Sequence, residues 1–488
     1  MTEPDQPRPL TLVEAVIPVA SLILLVGLSY YLFGEAGASG PNQVALVVAT
    51  MVAVFIAWRR GHTLDALGKA ATEGVSSGIG AIFILFAVGA LIGSWALSGT
   101  LVAMVYYGLQ LLNPNYFYVT AVVICAAISV SIGSSWTVVG TIGIGLMGIS
   151  LDMGLDPAIT AAAVISGAYF GDTTSPLSDS ANLAAAAAGV NLYRHIRETV
   201  LTSAVALMIA VGVFWLLGQA GSFGSGDYKM AALESAFHIS PVLFLPLVIV
   251  VALALIRLPP FTTIFIGALT GGVLAVIVAP ERVAAFAHGA DGLPRWLVLL
   301  KGVWLVFASG YVLTTGDPAL DQLVSRGGMA SMLNTVWLVI AALAFGGVVE
   351  TAGVLDRLMS PIIGAAKSAG GLVTSLVGAV IVTNVIASDQ YIAIVLPGRM
   401  FKSTFLRRGL APVVLSRTVA AAGTPTSALV PWNSCGAYMA ATLGVATFSY
   451  LPYAVFNFAS PLLAIAIAYA GLRMPREPGV QALDGTGE

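Results

Sequence analysis

The stretch Gly167–Val190, GAYFGDTTSPLSDSANLAAAAAGV, decides how the rest of the chain is read. It sets Asp172, Asp179, Pro176 and a row of hydroxyls between alanine-rich flanks. Pro176 removes a backbone donor and clashes with the preceding turn. Gly171 permits conformations other residues avoid. Together they predict a helix broken partway. A break frees carbonyls on one half-helix and N–H groups on the other, and such ends make ion sites. Thr173, Thr174, Ser175 and Ser178 add neutral oxygens, and Asp172 and Asp179 add negative charge. Hard cations take oxygen ligands, so the pattern points to a small-cation and proton site. For each hydroxyl alone, a bond back to its own helix is the structural alternative.

The surrounding composition says where that break lies. Of 488 residues, 58% are apolar and 9% charged, against about 25% charged in an ordinary soluble domain. The expected fold class is an all-α integral membrane protein with membrane lipid as its surroundings. A net charge of −2 indicates no nucleic-acid partner. An aspartate inside a bilayer is costly, roughly 2.5–3.5 kcal/mol on the mildest scales, which weighs for function at Asp172 and Asp179.

A span needs about 20 apolar residues. Residues 11–33, 42–58, 75–97, 197–217, 240–257, 261–280, 332–352 and 450–472 qualify. Two further apolar stretches, 116–150 and 372–406, carry polar centres, SIGSSWT and TNVIASDQ. Each reads as a re-entrant helical hairpin whose polar tip points inward, since non-helical backbone at membrane depth must be buried or line a wet cavity. A broken helix follows each hairpin, at 158–189 and at 411–445. Gly99 and Gly353, Gly171 and Gly423, and Gly189 and Gly444 mark matching places, 254, 252 and 255 residues apart. The expected organisation is therefore repeat one at 1–217 and repeat two at 218–472, with a disordered tail at 473–488. Each repeat has five transmembrane helices, one of them broken, plus a hairpin. An odd number makes the two structural repeats inverted.

Placing both termini in the cytoplasm leaves Lys229, Arg282, Arg295, Lys301 and Arg326 outside and Arg417 in the membrane; every other Lys and Arg of the 21 falls inside. That follows the positive-inside rule. Residues 296–314 read as amphipathic and interfacial because Lys301 interrupts them.

Further candidates surround the break. Asp389 sits at the second tip. Arg417 lies two turns before the second break, as a snorkelling residue, a counter-ion for an aspartate, or the holder of a substrate carboxylate. Ser134, Ser135 and Thr137 belong to the first tip, Asn384 and Ser388 to the second. Thr424, Thr426 and Ser427 belong to the second break. Asp152 and Asp156 read as solvated loop, Glu350 as structural, and His62, His195, His238 and His288 as loop residues. No phosphate-cradling G-x-x-x-x-G-K-[ST], no HExxH and no CxxC pair occurs, and Cys125 and Cys435 stand far apart. No cofactor is indicated beyond transported ions. Two buried aspartates would also suit an intramembrane hydrolase, but YFGD is not the Gly-x-Gly-Asp turn of such an enzyme.

The words SGAYFGDTTSPLSDSANLA, SIGSSWTVVGTIGIGLMG, SDQYIAIVLPGRMF and GTPTSALVPWNSCGAYMAATLGV resemble the NhaC family of sodium/proton antiporters over most of residues 75–470. The resemblance implies a secondary transporter in a prokaryotic inner membrane. It implies roles for Asp172, Ser175, Pro176, Ser178, Asp179, Asn182, Asp389, Gln390, Trp432 and Asn433. Thr173 stands where the family often has a charged residue after the first aspartate, and SRTVAAAGT where it often has an acidic pair. The expected function is sodium/proton exchange by alternating access, with Na+ held at Asp172 and neighbouring oxygens. The alternative is a coupled carrier of a small carboxylate or amino acid, with Arg417 holding the carboxylate. A homodimer is compatible with either.

Overall fold

Without water in the bilayer core, a backbone must satisfy its polar groups within its own segment, so apolar runs become helices. The computed structural model describes residues 7–38, 40–219, 237–289, 292–313, 325, 327–364 and 368–476. Lys229, Arg326, Lys367 and residues 477–488, used above for orientation and for the tail, lie outside this set. Among the described residues, nine helices are long and apolar enough to cross a membrane. The count is ten if the pair Thr447–Tyr453 and Val455–Tyr469, bent by 55°, is one span. The chain is a multi-pass membrane protein.

Large apolar side chains stand exposed on the outer helices, as at Leu24 (71%) on Leu12–Phe33, Met208 (67%) on Leu192–Gln219 and Leu462 (63%) on Val455–Tyr469. Pro157–Thr174 and Pro412–Ser427 are almost wholly buried. Helices that interrupt themselves with polar residues therefore lie inside, shielded from lipid by helices that do not.

Several expectations change. The segment 240–257 forms only the short apolar pair Pro241–Phe244 and Leu245–Leu255. Residues 296–314 are helical at Arg295–Ser309, with Trp296 and Trp304 exposed and Lys301 Nζ donating to the carbonyls of His288 (2.6 Å) and Gly289 (3.1 Å). His195 is not in a loop. Asn191 Oδ1 accepts from the N–H groups of Tyr193 and Arg194, so the helix begins at Leu192 and buries His195 against Ser416 Oγ at 3.1 Å.

The apolar stretch 116–150 folds as Phe117–Ile132 and a helix from Ser135, joined at Gly133–Ser134. A π-helical turn, Val139–Gly143, interrupts the second helix before Ile144–Asp152. Residues 372–406 fold as parts of Ala369–Ala387 and Gln390–Arg407, joined at Ser388–Asp389. The first broken helix is Pro157–Thr174 followed by Asp179–Ala188, and the second is Pro412–Ser427 followed by Ser434–Leu443.

The cause of the first break is partly as expected. Ser175 is extended (φ −78°, ψ 133°), the conformation a following proline imposes, so the helix stops at Thr174. Gly171 does something else. It is helical, and a Cβ there would lie 2.3 Å from the backbone of Ser129 and Val130. It permits two helices to touch and does not make the break. In the second helix Pro425 lies within the helical run. Its missing N–H leaves the Ala421 carbonyl without its usual donor, and Ser460 Oγ supplies one at 2.9 Å.

Candidate functional site

Both joins and both breaks end in helix N-termini, each capped by a side chain the sequence singled out. Ser134 Oγ accepts from Thr137 N, Ser178 Oγ from Ala181 N, Asp389 Oδ1 from Tyr391 N and Ile392 N, and Asn433 Oδ1 from Cys435 N. These residues gather because capping puts a polar side chain at each helix start.

Asp172 is the centre of the first half. It is 7% exposed. Ser135 Oγ donates to its Oδ2 at 2.6 Å, and Ser178 Oγ and Ser180 Oγ donate to its Oδ1 at 2.6 and 2.8 Å. Ser135 comes from the first join, so hairpin tip and helix break meet on one carboxylate. The freed main-chain carbonyl of Asp172 lies 3.0 Å from Ser180 Oγ, an alternative acceptor for the same hydroxyl hydrogen. A serine hydroxyl that donates to a carboxylate keeps lone pairs for a second partner. The four side chains therefore offer a compact oxygen set with one negative charge.

The threonines of the break are elsewhere occupied. Thr173 Oγ1 and Thr174 Oγ1 bond back to the carbonyls of Tyr169 and Phe170, both at 2.7 Å. Ser175 Oγ donates to Val130 O at 2.7 Å, tying the break to the end of Phe117–Ile132. Asn182 Nδ2 donates to Ser178 O at 2.8 Å.

The second half builds a neutral counterpart. Asn384 Nδ2 donates to Gly423 O and Thr426 Oγ1, both at 2.9 Å. Asn433 Nδ2 reaches Asn384 O at 3.1 Å, and Trp432 Nε1 reaches Val385 O at 2.7 Å. Ser427 Oγ (2.9 Å) and Cys435 Sγ (3.1 Å) both donate to Gln390 Oε1. Ser388 Oγ and Thr424 Oγ1 are buried with no hydrogen-bond partner among the described residues. The halves are joined where Tyr438 stacks on Trp136 (4.0 Å between ring centroids) and donates to its carbonyl at 2.8 Å.

A cavity of about 820 Å³ opens between these elements. Asp172, Asp179, Asp389, Ser134, Thr137, Pro176, Asn182 and Gln390 line it, and the remaining sequence candidates do not. Among the described residues, no three His, Cys, Asp or Glu side chains converge to hold a metal ion. The three aspartates thus share a cavity without closing a common cage.

Arg417 corrects an expectation. It does not line the cavity. It is 3% exposed and faces Glu198 at 3.7 Å, while its NH2 group donates to Arg473 O at 3.1 Å. Arg473 holds the same Glu198 at 2.6 Å. Glu198 lies one helical turn after Leu192–His195, and only the packing of Leu192–Gln219 on Pro412–Ser427 brings it to Arg417. The arginine that lines the cavity is Arg257, which sequence reading placed only as a cytoplasmic charge. Ser180 was also missed. Its one signal is a position two residues beyond the cap Ser178.

With this geometry in place, comparison with known proteins adds identity. A model described as the Na+/H+ antiporter family matches residues 11–217 and 167–472. The chain belongs to the Na+/H+ antiporter family. It is 37% identical to the Na+/H+ antiporter NhaC of Alkalihalophilus pseudofirmus, over 89% of this chain and 91% of that one. It is 33% identical to the malate-2H+/Na+-lactate antiporter of Bacillus subtilis, over 94% and 95% of the two chains. It is 31% identical to the arginine/ornithine antiporter ArcD of Halobacterium salinarum, over 94% and 92%. The family thus contains relatives named for inorganic and for organic cargo.

Proposed function

We propose that this chain is a secondary sodium/proton antiporter working by alternating access, with Asp172 as the carboxylate that sodium and the proton share. The observation that carries the reading is the convergence of Ser135, Ser178 and Ser180 on Asp172 at 2.6–2.8 Å on the wall of a cavity. A carboxylate with three hydroxyl neighbours can hold Na+ through oxygens alone. Protonated, it holds no cation. If the site changes sides only when loaded with one or the other, competition for one carboxylate yields exchange. Asp179 supports the site as a nearby negative charge, and Asp389 as another carboxylate lining the same cavity. The antiporters among its relatives support transport over hydrolysis.

The finer architecture belongs to the same proposal: two inverted repeats, two re-entrant hairpins, and both termini in the cytoplasm of a prokaryotic inner membrane. It is supported by the left-handed helix ends at Gly99 and Gly353 (φ +86° and +75°) and at Gly189 and Gly444 (φ +74° and +71°), which recur in matching order.

The test is proton release on adding sodium to vesicles containing purified protein. Asp172→Asn keeps the size and loses the charge, so it abolishes exchange while the protein still inserts. Exchange that survives in Asp172→Asn with an unchanged pH profile would move the shared site to Asp179 or Asp389. A second reading, exchange of an organic acid or amino acid, is favoured by the cavity, whose volume of about 820 Å³ exceeds what an ion requires.

A further inference from the structure

The cavity holds charges that have no partner. Arg257 stands at the turn between Leu245–Leu255 and Pro260–Val278 and lines the cavity. Among the described residues its guanidinium makes no hydrogen bond, ion pair or ring contact. Its backbone is left-handed (φ +66°), a conformation rare for residues other than glycine and asparagine. Here it closes the helix Leu245–Leu255, with Arg257 N donating to Ala254 O and Leu258 N to Leu253 O, as helix C-termini commonly end. Asp179 also lines the cavity, and its carboxylate accepts no hydrogen bond among the described residues. Asp389 spends one oxygen, Oδ1, on the N–H groups of Tyr391 and Ile392 and leaves Oδ2 without a partner. Asp172 differs from both, because three serines already engage it. The unpaired set is therefore one guanidinium and two carboxylates, with Arg257 and Asp179 exposed and Asp389 half-buried. Apolar surface from Ile84, Ile132 and Leu258 separates polar groups on the wall, and the volume falls in the range of roughly 300–1,000 Å³ typical of small-molecule sites.

We infer that this cavity binds a cationic amino acid, with its carboxylate on Arg257 and its ammonium groups on Asp179 and Asp389. The molecule that mirrors the unpaired set carries one carboxylate and two ammonium groups on a short apolar stem. Arg257 is the residue that separates such a ligand from a plain diamine, since a guanidinium pairs with a carboxylate in a planar, bidentate way. A dicarboxylate is disfavoured, because it would bring two negative charges to a wall with two unpaired carboxylates and one cation. The inference rests on reading the cavity as the transport site and extends it from ions to an organic cargo.

The test compares two probes that differ by one carboxylate, L-lysine and cadaverine, titrated calorimetrically into the purified full-length protein. Arg257→Asn removes the guanidinium while tolerating the left-handed backbone, and Arg257→Lys keeps the charge without the planar fork. Wild-type protein is expected to bind L-lysine more tightly than cadaverine. Arg257→Asn should weaken L-lysine at least about tenfold, about 1.4 kcal/mol, and leave cadaverine within about twofold. Arg257→Lys should fall between. No L-lysine binding by the wild type overturns the inference. So does unchanged L-lysine affinity in Arg257→Asn, or equal loss of both probes in both variants. Sodium-driven proton release by the wild type is measured in parallel. Exchange without L-lysine binding removes this inference alone; L-lysine binding without exchange removes the antiport reading alone.

Discussion

Asp172 draws its partners from three places in the chain, and they are not equally replaceable. A hydrogen bond to a charged group is worth about 1.5–3 kcal/mol, so Ser180→Ala should weaken apparent sodium affinity by on the order of tenfold or more, measured as the sodium dependence of proton release. Thr174→Val should leave that affinity within about threefold, because Thr174 Oγ1 bonds to Phe170 O in its own helix. A large loss in Thr174→Val would mean that the hydroxyl turns toward the cation during transport. Since proton and sodium compete for Asp172, apparent sodium affinity should strengthen with rising pH until the carboxylate is fully ionised, and the effect should vanish in Asp172→Asn. Asp172 was legible in the sequence because an aspartate beside Pro176 in an apolar chain needs a reason. Ser180 was not, because its hydroxyl reaches back across the break only once Ser175–Ser178 has turned the chain.

Elements meet here through close backbone approach, and glycine sets the distance. Gly133 has φ +80°, and a Cβ there would sit 2.6 Å from the main-chain carbon of Leu177 in the first break. Gly154 is also left-handed (φ +71°), with nothing within 4 Å of such a Cβ. Alanine at an incompatible φ costs more than about 1 kcal/mol. Gly133→Ala should therefore lower thermal stability in detergent clearly more than Gly154→Ala, and should also slow exchange by pushing the tip from Asp172. Equal effects would mean that backbone strain alone matters at Gly133. The two breaks were visible in the sequence as Pro-and-hydroxyl clusters. The role of Pro425 was not: the donor that replaces its lost N–H is Ser460, on a different helix.

For the whole molecule, the second broken helix is tied to the chain's end. Arg417 and Arg473 share Glu198, and Ala411 N donates to Pro475 O at 2.9 Å. Removing one partner of a buried pair can cost about 3–5 kcal/mol. Glu198 is 23% exposed and Arg473 35%, so solvent screens part of this, and Glu198→Gln should cost about 1–3 kcal/mol, read as a lower unfolding midpoint. Unchanged stability would mean that Arg417 is satisfied by Arg473 O alone. The inverted arrangement is tested by labelling Ala36→Cys and Arg407→Cys variants in a background without Cys125 and Cys435. The two positions should react from opposite sides of the membrane, and reaction from one side would refute the topology.

Helicity, membrane burial and the positions of both breaks were determined by the sequence alone, because each follows from local composition: apolar length, a proline, a cluster of hydroxyls. The caps Ser134, Ser178, Asp389 and Asn433 follow as locally, since capping acts within three residues. Tertiary structure decided which charges face the cavity. Arg417 and Arg257 are both arginines near apolar helices, and nothing within a few residues of either separates them. Glu198 neutralises the first, which is buried, while the second is exposed and has no ion-pair partner among the described residues. That difference depends on helices packed against one another from distant parts of the chain, where the cost of burying Arg417 is offset by a neighbour that only the fold supplies.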